Sequence, residues 1–221
     1  MNKKLLLVLL SFIVSISFIS CERFPITDLH DVPKPVDAWP YPWYLYEDEL
    51  NTKGLFSPVF FNDDANTGDL DPDCVDFDWN SGAYRGRACI KFDWHPKNGK
   101  TWCGFGLSST EEPYNPNSAK DMTTSGYTKL EFYIRGKITS GASVTVSIPR
   151  NSYDGSSKTP TDSVTITNLE ENVWAKKTIN LTTGRTKENW NTQKFYVSIA
   201  IEGGNSNGAT IYLDDIKFVK D

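Results

Sequence analysis

From Trp43 onward, apolar and polar residues alternate in short runs separated by turn residues. Leu130, Phe132 and Ile134 are spaced by two, as are Val144, Val146 and Ile148, and Phe195, Val197, Ile199 and Ile201. Successive side chains of a strand point to opposite sides, so each set shares one strand face. Asn98-Gly99, Asp154-Gly155, Gly203-Gly204 and Asn207-Gly208 are turn dipeptides between such runs. The pattern predicts strands at 43–47, 57–61, 74–79, 88–94, 101–107, 129–136, 143–149, 163–167, 174–181, 194–202 and 209–219. No amphipathic stretch of ten or more residues at the helical period competes with them. The expected fold class is all-β, a two-sheet antiparallel β-sandwich.

The places between the apolar ones carry the candidate chemistry. Alternation reads Tyr133 and Arg135, Thr145 and Ser147, Tyr196 and Ser198, and Lys91 and Asp93 as solvent-facing. Trp102 joins them because Cys103, Phe105 and Leu107 hold the alternate places. Aromatic rings stack on the apolar C–H faces of sugar rings, while planar polar groups pair with the hydroxyls beside them. Trp102, Tyr133, Arg135, Tyr196 and Asp93 are therefore candidate ligand-binding residues for an oligo- or polysaccharide, with Trp190 in the loop 187–191 beside them. Outward strand positions favour Tyr, Thr and Arg in any case, so a plain solvated face is the competing reading.

Ile211 and Leu213 have one parity and Ile216 and Phe218 the other. Either a bulge at Asp214-Asp215 re-aims one carboxylate, or the strand is buried on both faces. Adjacent acids suit Ca²⁺, which takes six to eight oxygen ligands. The acidic run 62–74 resembles a helix-flanked calcium loop only superficially, since the twelfth-place glutamate and the helices are missing.

At the N-terminus, Lys3 and Lys4 precede an almost wholly apolar run, Leu5 to Ile19, which ends at Ser20-Cys21. That is a secretory signal pattern, too short to span a bilayer. The small residue before Cys21 resembles the bacterial lipobox, which implies a lipidated cysteine and an anchor in the bacterial outer membrane. Residues 22–42, with five prolines, read as an extended tether, and 43–221 as the folded domain. Without Lys3 and Lys4 the net charge falls from −5 to −7, with no basic cluster, which argues against a nucleic-acid partner. Membrane contact is expected through the lipid only. Of the remaining cysteines, Cys89 could pair with Cys103 or with Cys74, and their spacing matches no zinc motif. No G-x-S-x-G, H-E-x-x-H or phosphate-binding glycine loop occurs, although Asp76, Asp78 and Asp93 are acids that could meet across strands.

Five stretches resemble a known family in their order along the chain. Tyr84-Arg-Gly-Arg-Ala-Cys-Ile-Lys-Phe92, Trp102-Cys-Gly-Phe-Gly106, Gly126 to Gly136, Trp174-Ala-Lys-Lys-Thr-Ile-Asn-Leu181 and Ala209 to Phe218 are similar to strands of galactose-binding-like jelly rolls, as found in carbohydrate-binding modules. The resemblance implies a jelly roll and a structural calcium joining the last strand to the first, with Asp214, Asp215, Glu47 and Asp48 as its acids. The expected function is non-catalytic carbohydrate binding at the cell envelope. A catalytic jelly roll acting on polysaccharide, and a lipoprotein that docks other envelope proteins, are the alternatives.

Overall fold

In the computed structural model of the chain, all eleven expected strands are present, with ends moved by a few residues. The structure describes residues 42–51, 58–62, 74–96, 100–108, 125–148, 162–181, 195–203 and 207–221. The strands are β1 (Trp43–Tyr46), β2 (Val59–Asn62), β3 (Val75–Trp79), β4 (Cys89–Trp94), β5 (Trp102–Ser108), β6 (Lys129–Ile138), β7 (Ser143–Ile148), β8 (Asp162–Ile166), β9 (Ala175–Asn180), β10 (Phe195–Glu202) and β11 (Ala209–Val219). One sheet has the order β3-β4-β11-β6-β9, with β1 also on β11, and the second has the order β2-β5-β10-β7-β8. Every pairing is antiparallel. These strands belong to a compact unit, Trp39–Asp221; the other unit, Met1–Ala38, lies outside the described residues, and with it the signal pattern and Cys21.

The inner faces are the apolar sets of the alternation. Leu130, Phe132 and Ile134 of β6 and Ile211 and Leu213 of β11 are buried against Val144, Val146 and Ile148 of β7 and Ile199 and Ile201 of β10. An aromatic group closes one end, with Trp43 stacked on Phe218 at 5.7 Å and on Tyr127 at 6.1 Å. Gly136 allows β6 and β11 to approach closely, because a Cβ there would run into the Thr210 carbonyl. Although the turn dipeptide Asn98-Gly99 separates them in sequence, β4 and β5 do not form a hairpin. β4 pairs with β3 and β11 in the first sheet, whereas β5 pairs with β2 and β10 in the second.

The parity change in β11 has a structural cause. β4 pairs with residues 209–213 of β11, and β1 pairs with 216–218 on the same edge. Asp214 and Asp215 fall where one neighbour ends and the other begins. The β6 register shifts between Asp214 and Lys217, and Asp215 has φ 53°, so the bulge expected there is present. Leu213, Asp214, Asp215 and Ile216 are all buried, so the strand is also covered on both faces at this point.

Candidate functional site

On the outward face of the second sheet, β5, β10, β7 and β8 set short residues in transverse rows. Register sets Gly106, Ser198, Ser147 and Ser163 side by side, and Gly104, Ala200, Thr145 and Thr165 in the next row. The Thr145 and Thr165 hydroxyls are 3.2 Å apart and share a hydrogen bond. A third row, at the β5 end, is Trp102, Glu202 and Ser143. There the surface sinks into a hollow of about 330 Å³ lined by Thr101, Trp102, Gly141, Ser143, Glu202 and Gly203. Trp102 is half-buried and Glu202 exposed. An indole offers a flat apolar plate and one N–H donor; a carboxylate accepts from two hydroxyls; a serine does both. The first two rows continue onto β2, which sets Val59 beside Gly106 and Phe61 beside Gly104, and both glycines are buried.

The predicted binding residues divide between surfaces. Tyr133, Arg135 and Asp93 lie on β6 and β4, on the outward face of the first sheet, across the sandwich from Trp102. Tyr196 faces neither surface: it is 2% exposed and meets Trp43 edge-on at 4.9 Å. Its burial follows from a register shift between Phe195 and Val197, which puts Tyr196 on the core side together with Val197. Trp190 lies outside the described residues.

On the first sheet, rings and cations engage each other. Tyr84 stacks on Tyr133 with centroids 3.6 Å apart, and Trp174 meets Tyr84 at 6.0 Å. The Arg135 guanidinium lies 4.0 Å from the Tyr212 ring and 5.2 Å from Trp174, and donates to the carbonyls of Gly82 and Glu171, each at 3.2 Å. Lys91 Nζ sits 4.4 Å from the Trp79 ring. Asp93 accepts from Thr210 Oγ1 at 2.8 Å and lies 3.5 Å from Lys91 Nζ. Asp76 accepts from the Asp78 amide, and Asp78 pairs with Arg87. Tyr133, Tyr212 and Trp79 thus each have one face covered by a protein group, and the set fastens the 80–88 segment onto the sheet. Alternation could have marked Tyr212, opposite in parity to Ile211 and Leu213, and Glu202, two places beyond Ala200. Nothing in the spacing pairs Tyr84 with Tyr133.

Three of the four acids expected to bind calcium accept from backbone amides or from a lysine. Asp214, with no exposed surface, accepts the amides of Tyr84 at 2.8 Å, Arg85 at 3.1 Å and its neighbour Asp215 at 2.7 Å. Burial pushes its carboxyl up to about 6, against those three N–H groups, which favour the charged form. Asp48 accepts the amides of Arg87 and Ala88, and they hold its carboxyl below the ordinary range. Asp215 takes Lys217 Nζ at 2.8 Å, while its Oδ1 is buried with no hydrogen-bond partner. Glu47 is exposed and, with Asp48, Glu49 and Arg87, lines a hollow of about 580 Å³. N–H and ammonium groups compete with a cation for the same oxygens, and among the described residues no three His, Cys, Asp or Glu side chains converge. Asp214 and Asp48 thus both hold the backbone of residues 84–88. They stand in for the ladder partner that β11 lacks between β4 and β1.

The outward face of the second sheet thus presents an indole, a carboxylate and hydroxyls, groups that suit a carbohydrate. Residues 57–220, well over half of the chain, match the family described as Carbohydrate binding domain 30, and the chain belongs to that family. Among solved structures, it is similar to the family 30 carbohydrate-binding module of the cellulosomal cellulase Cel9D-Cel44B of Clostridium thermocellum, at 15% identity over 82% of this chain and 99% of that one, with a TM-score of 0.48. A family 11 module from the same organism, in complex with a β-1,3-1,4-mixed-linked tetrasaccharide, matches at 12% identity over 82% and 98%, with a TM-score of 0.43. TmCBM61, in complex with β-1,4-galactotriose, matches at 13% over 76% and 92%, with a TM-score of 0.38. No curated protein sequence matches the chain.

Proposed function

We propose that the chain is a non-catalytic lipoprotein that captures glycan on the outward face of the second sheet, at the Trp102–Glu202–Ser143 row. The observation that carries the reading is the 330 Å³ hollow where Trp102 and Glu202 meet. It joins an indole to a carboxylate acceptor on an outward sheet face. The N-terminal pattern ending at Cys21 supports export and anchoring at the bacterial envelope.

Titration of the purified chain against mixed-linked β-glucan and β-1,4-galactan oligosaccharides tests it. Binding without new reducing ends is expected, and Trp102→Ala is expected to weaken it about tenfold, the loss of a stacking contact worth about 1 to 1.5 kcal/mol. Release of reducing ends or unsaturated products would make the domain catalytic instead. Unchanged affinity in the folded Trp102 variant moves the site off this row. A wild-type chain that binds no glycan but co-purifies with an envelope protein favours docking.

A further inference from the structure

The cysteines of the sandwich are not paired as their spacing implied. Cys89 is buried, and its thiol donates to the Trp79 carbonyl at 3.6 Å. Burial pushes that thiol up to about 11, which keeps it protonated and unreactive. Cys74 and Cys103 instead face each other, with sulfurs 3.8 Å apart, at van der Waals contact. Cys74 is half-buried just before β3, whereas Cys103, 3% exposed, is the second residue of β5. β3 belongs to the first sheet and β5 to the second.

We propose that Cys74 and Cys103 are a disulfide site that covalently joins the two sheets when the protein meets a disulfide oxidant. A bonded pair needs sulfurs about 2 Å apart, a closure that side-chain rotation supplies from contact distance. The more accessible Cys74, as thiolate, attacks one sulfur of the oxidant and releases the first oxidant thiol. Cys103 then loses its proton and attacks the Cys74 sulfur of the mixed disulfide, releasing the second. Two protein thiols are oxidised, one small-molecule or protein disulfide is reduced to two thiols, and two electrons pass between them. The chemistry is independent of the glycan reading and of where the protein resides.

Oxidised glutathione is the probe, applied to the purified, reduced full chain and followed by alkylation and non-reducing tryptic mapping. Trypsin separates the three sites, since Cys74 falls in 54–85, Cys89 in 88–91 and Cys103 in 101–120. The expected product links 54–85 to 101–120 and leaves Cys89 alkylated after unfolding. The melting temperature of the oxidised chain is expected to exceed that of the reduced chain by roughly 5 to 10 °C, the size expected for a loop of about thirty residues. Reductant should abolish the difference, and Cys74→Ser, at the more exposed position, should melt alike with and without oxidant. A cross-link through Cys89, or Cys74 and Cys103 both recovered as alkylated thiols from folded protein, would overturn the proposal.

Discussion

Trp102 and Tyr196 are both aromatic, both on the second sheet, and opposite in what they do. Tyr196 fills core space beside Trp43, so Tyr196→Ala is expected to destabilise the domain by about 3 kcal/mol, the range for large aromatic truncations. Trp102→Ala should cost far less stability, since its ring lines a surface hollow. Urea unfolding of the two variants provides the comparison; equal losses would place Trp102 in the core. At Asp214 the test is pH. A carboxyl held at about 6 against an ordinary 3.8 binds its proton more tightly folded than unfolded. Its contribution is therefore fully present below about pH 4 and lost as pH rises through 6, on the order of 3 kcal/mol. Asp214→Asn keeps an acceptor for the amides but cannot titrate, so the stability gap between variant and wild type should change between pH 4 and 6 and stay flat above 7. A bound calcium ion would invert the trend, favouring the ionised acid, and would make the melt sensitive to chelator.

At the scale of strands, β1 carries more than its four residues imply. Trp43, Leu45 and Tyr46 are all buried, each worth about 2 kcal/mol or more of apolar burial, against a typical total stability of 5 to 15 kcal/mol. The family match begins at residue 57 and leaves β1 out. A chain cut to residues 57–221 would lose those side chains and bare the 216–218 edge of β11. It is expected to aggregate or to unfold without a sharp transition, while 39–221 melts cooperatively; calorimetry on both decides. Strand positions were legible because period-two alternation is local: Val144, Val146 and Ile148 announce β7 without reference to anything distant. Sheet membership is not local. Alternation sorts residues into inward and outward and is silent on which sheet they belong to, so Tyr133 and Trp102 read as neighbours yet lie on opposite surfaces. Irregularities behaved unevenly too. The Asp214-Asp215 slip shows as a parity change in apolar residues, while the Phe195–Val197 shift leaves no such mark, because Phe195, Val197 and Ile199 keep their spacing through it.

For the whole molecule, the expectations about export rest on the first twenty-one residues, and Cys21 is the place to test them. Cys21→Ala is expected to leave the chain unprocessed or to shift it out of the membrane fraction; normal processing and retention would count against lipidation. The candidate site was legible as chemistry, an outward tryptophan with polar neighbours, and not as a place, because Glu202 and Ser143 join Trp102 only through pairing of strands from distant parts of the sequence. The β1–β11 pairing, described above as a source of stability, also makes the domain portable. Trp43 is the register partner of Phe218, so chain entry and exit lie one strand spacing apart, roughly 5 Å. Such a unit can be set into a surface loop of an unrelated host through two short linkers, or closed head to tail and reopened elsewhere. Both junctions then fall in the first sheet, away from the Trp102 row on the second. Several copies spliced in this way along a rigid scaffold would each present the same Trp102 row, and avidity for a long polymer would grow with copy number without any change to the domain itself.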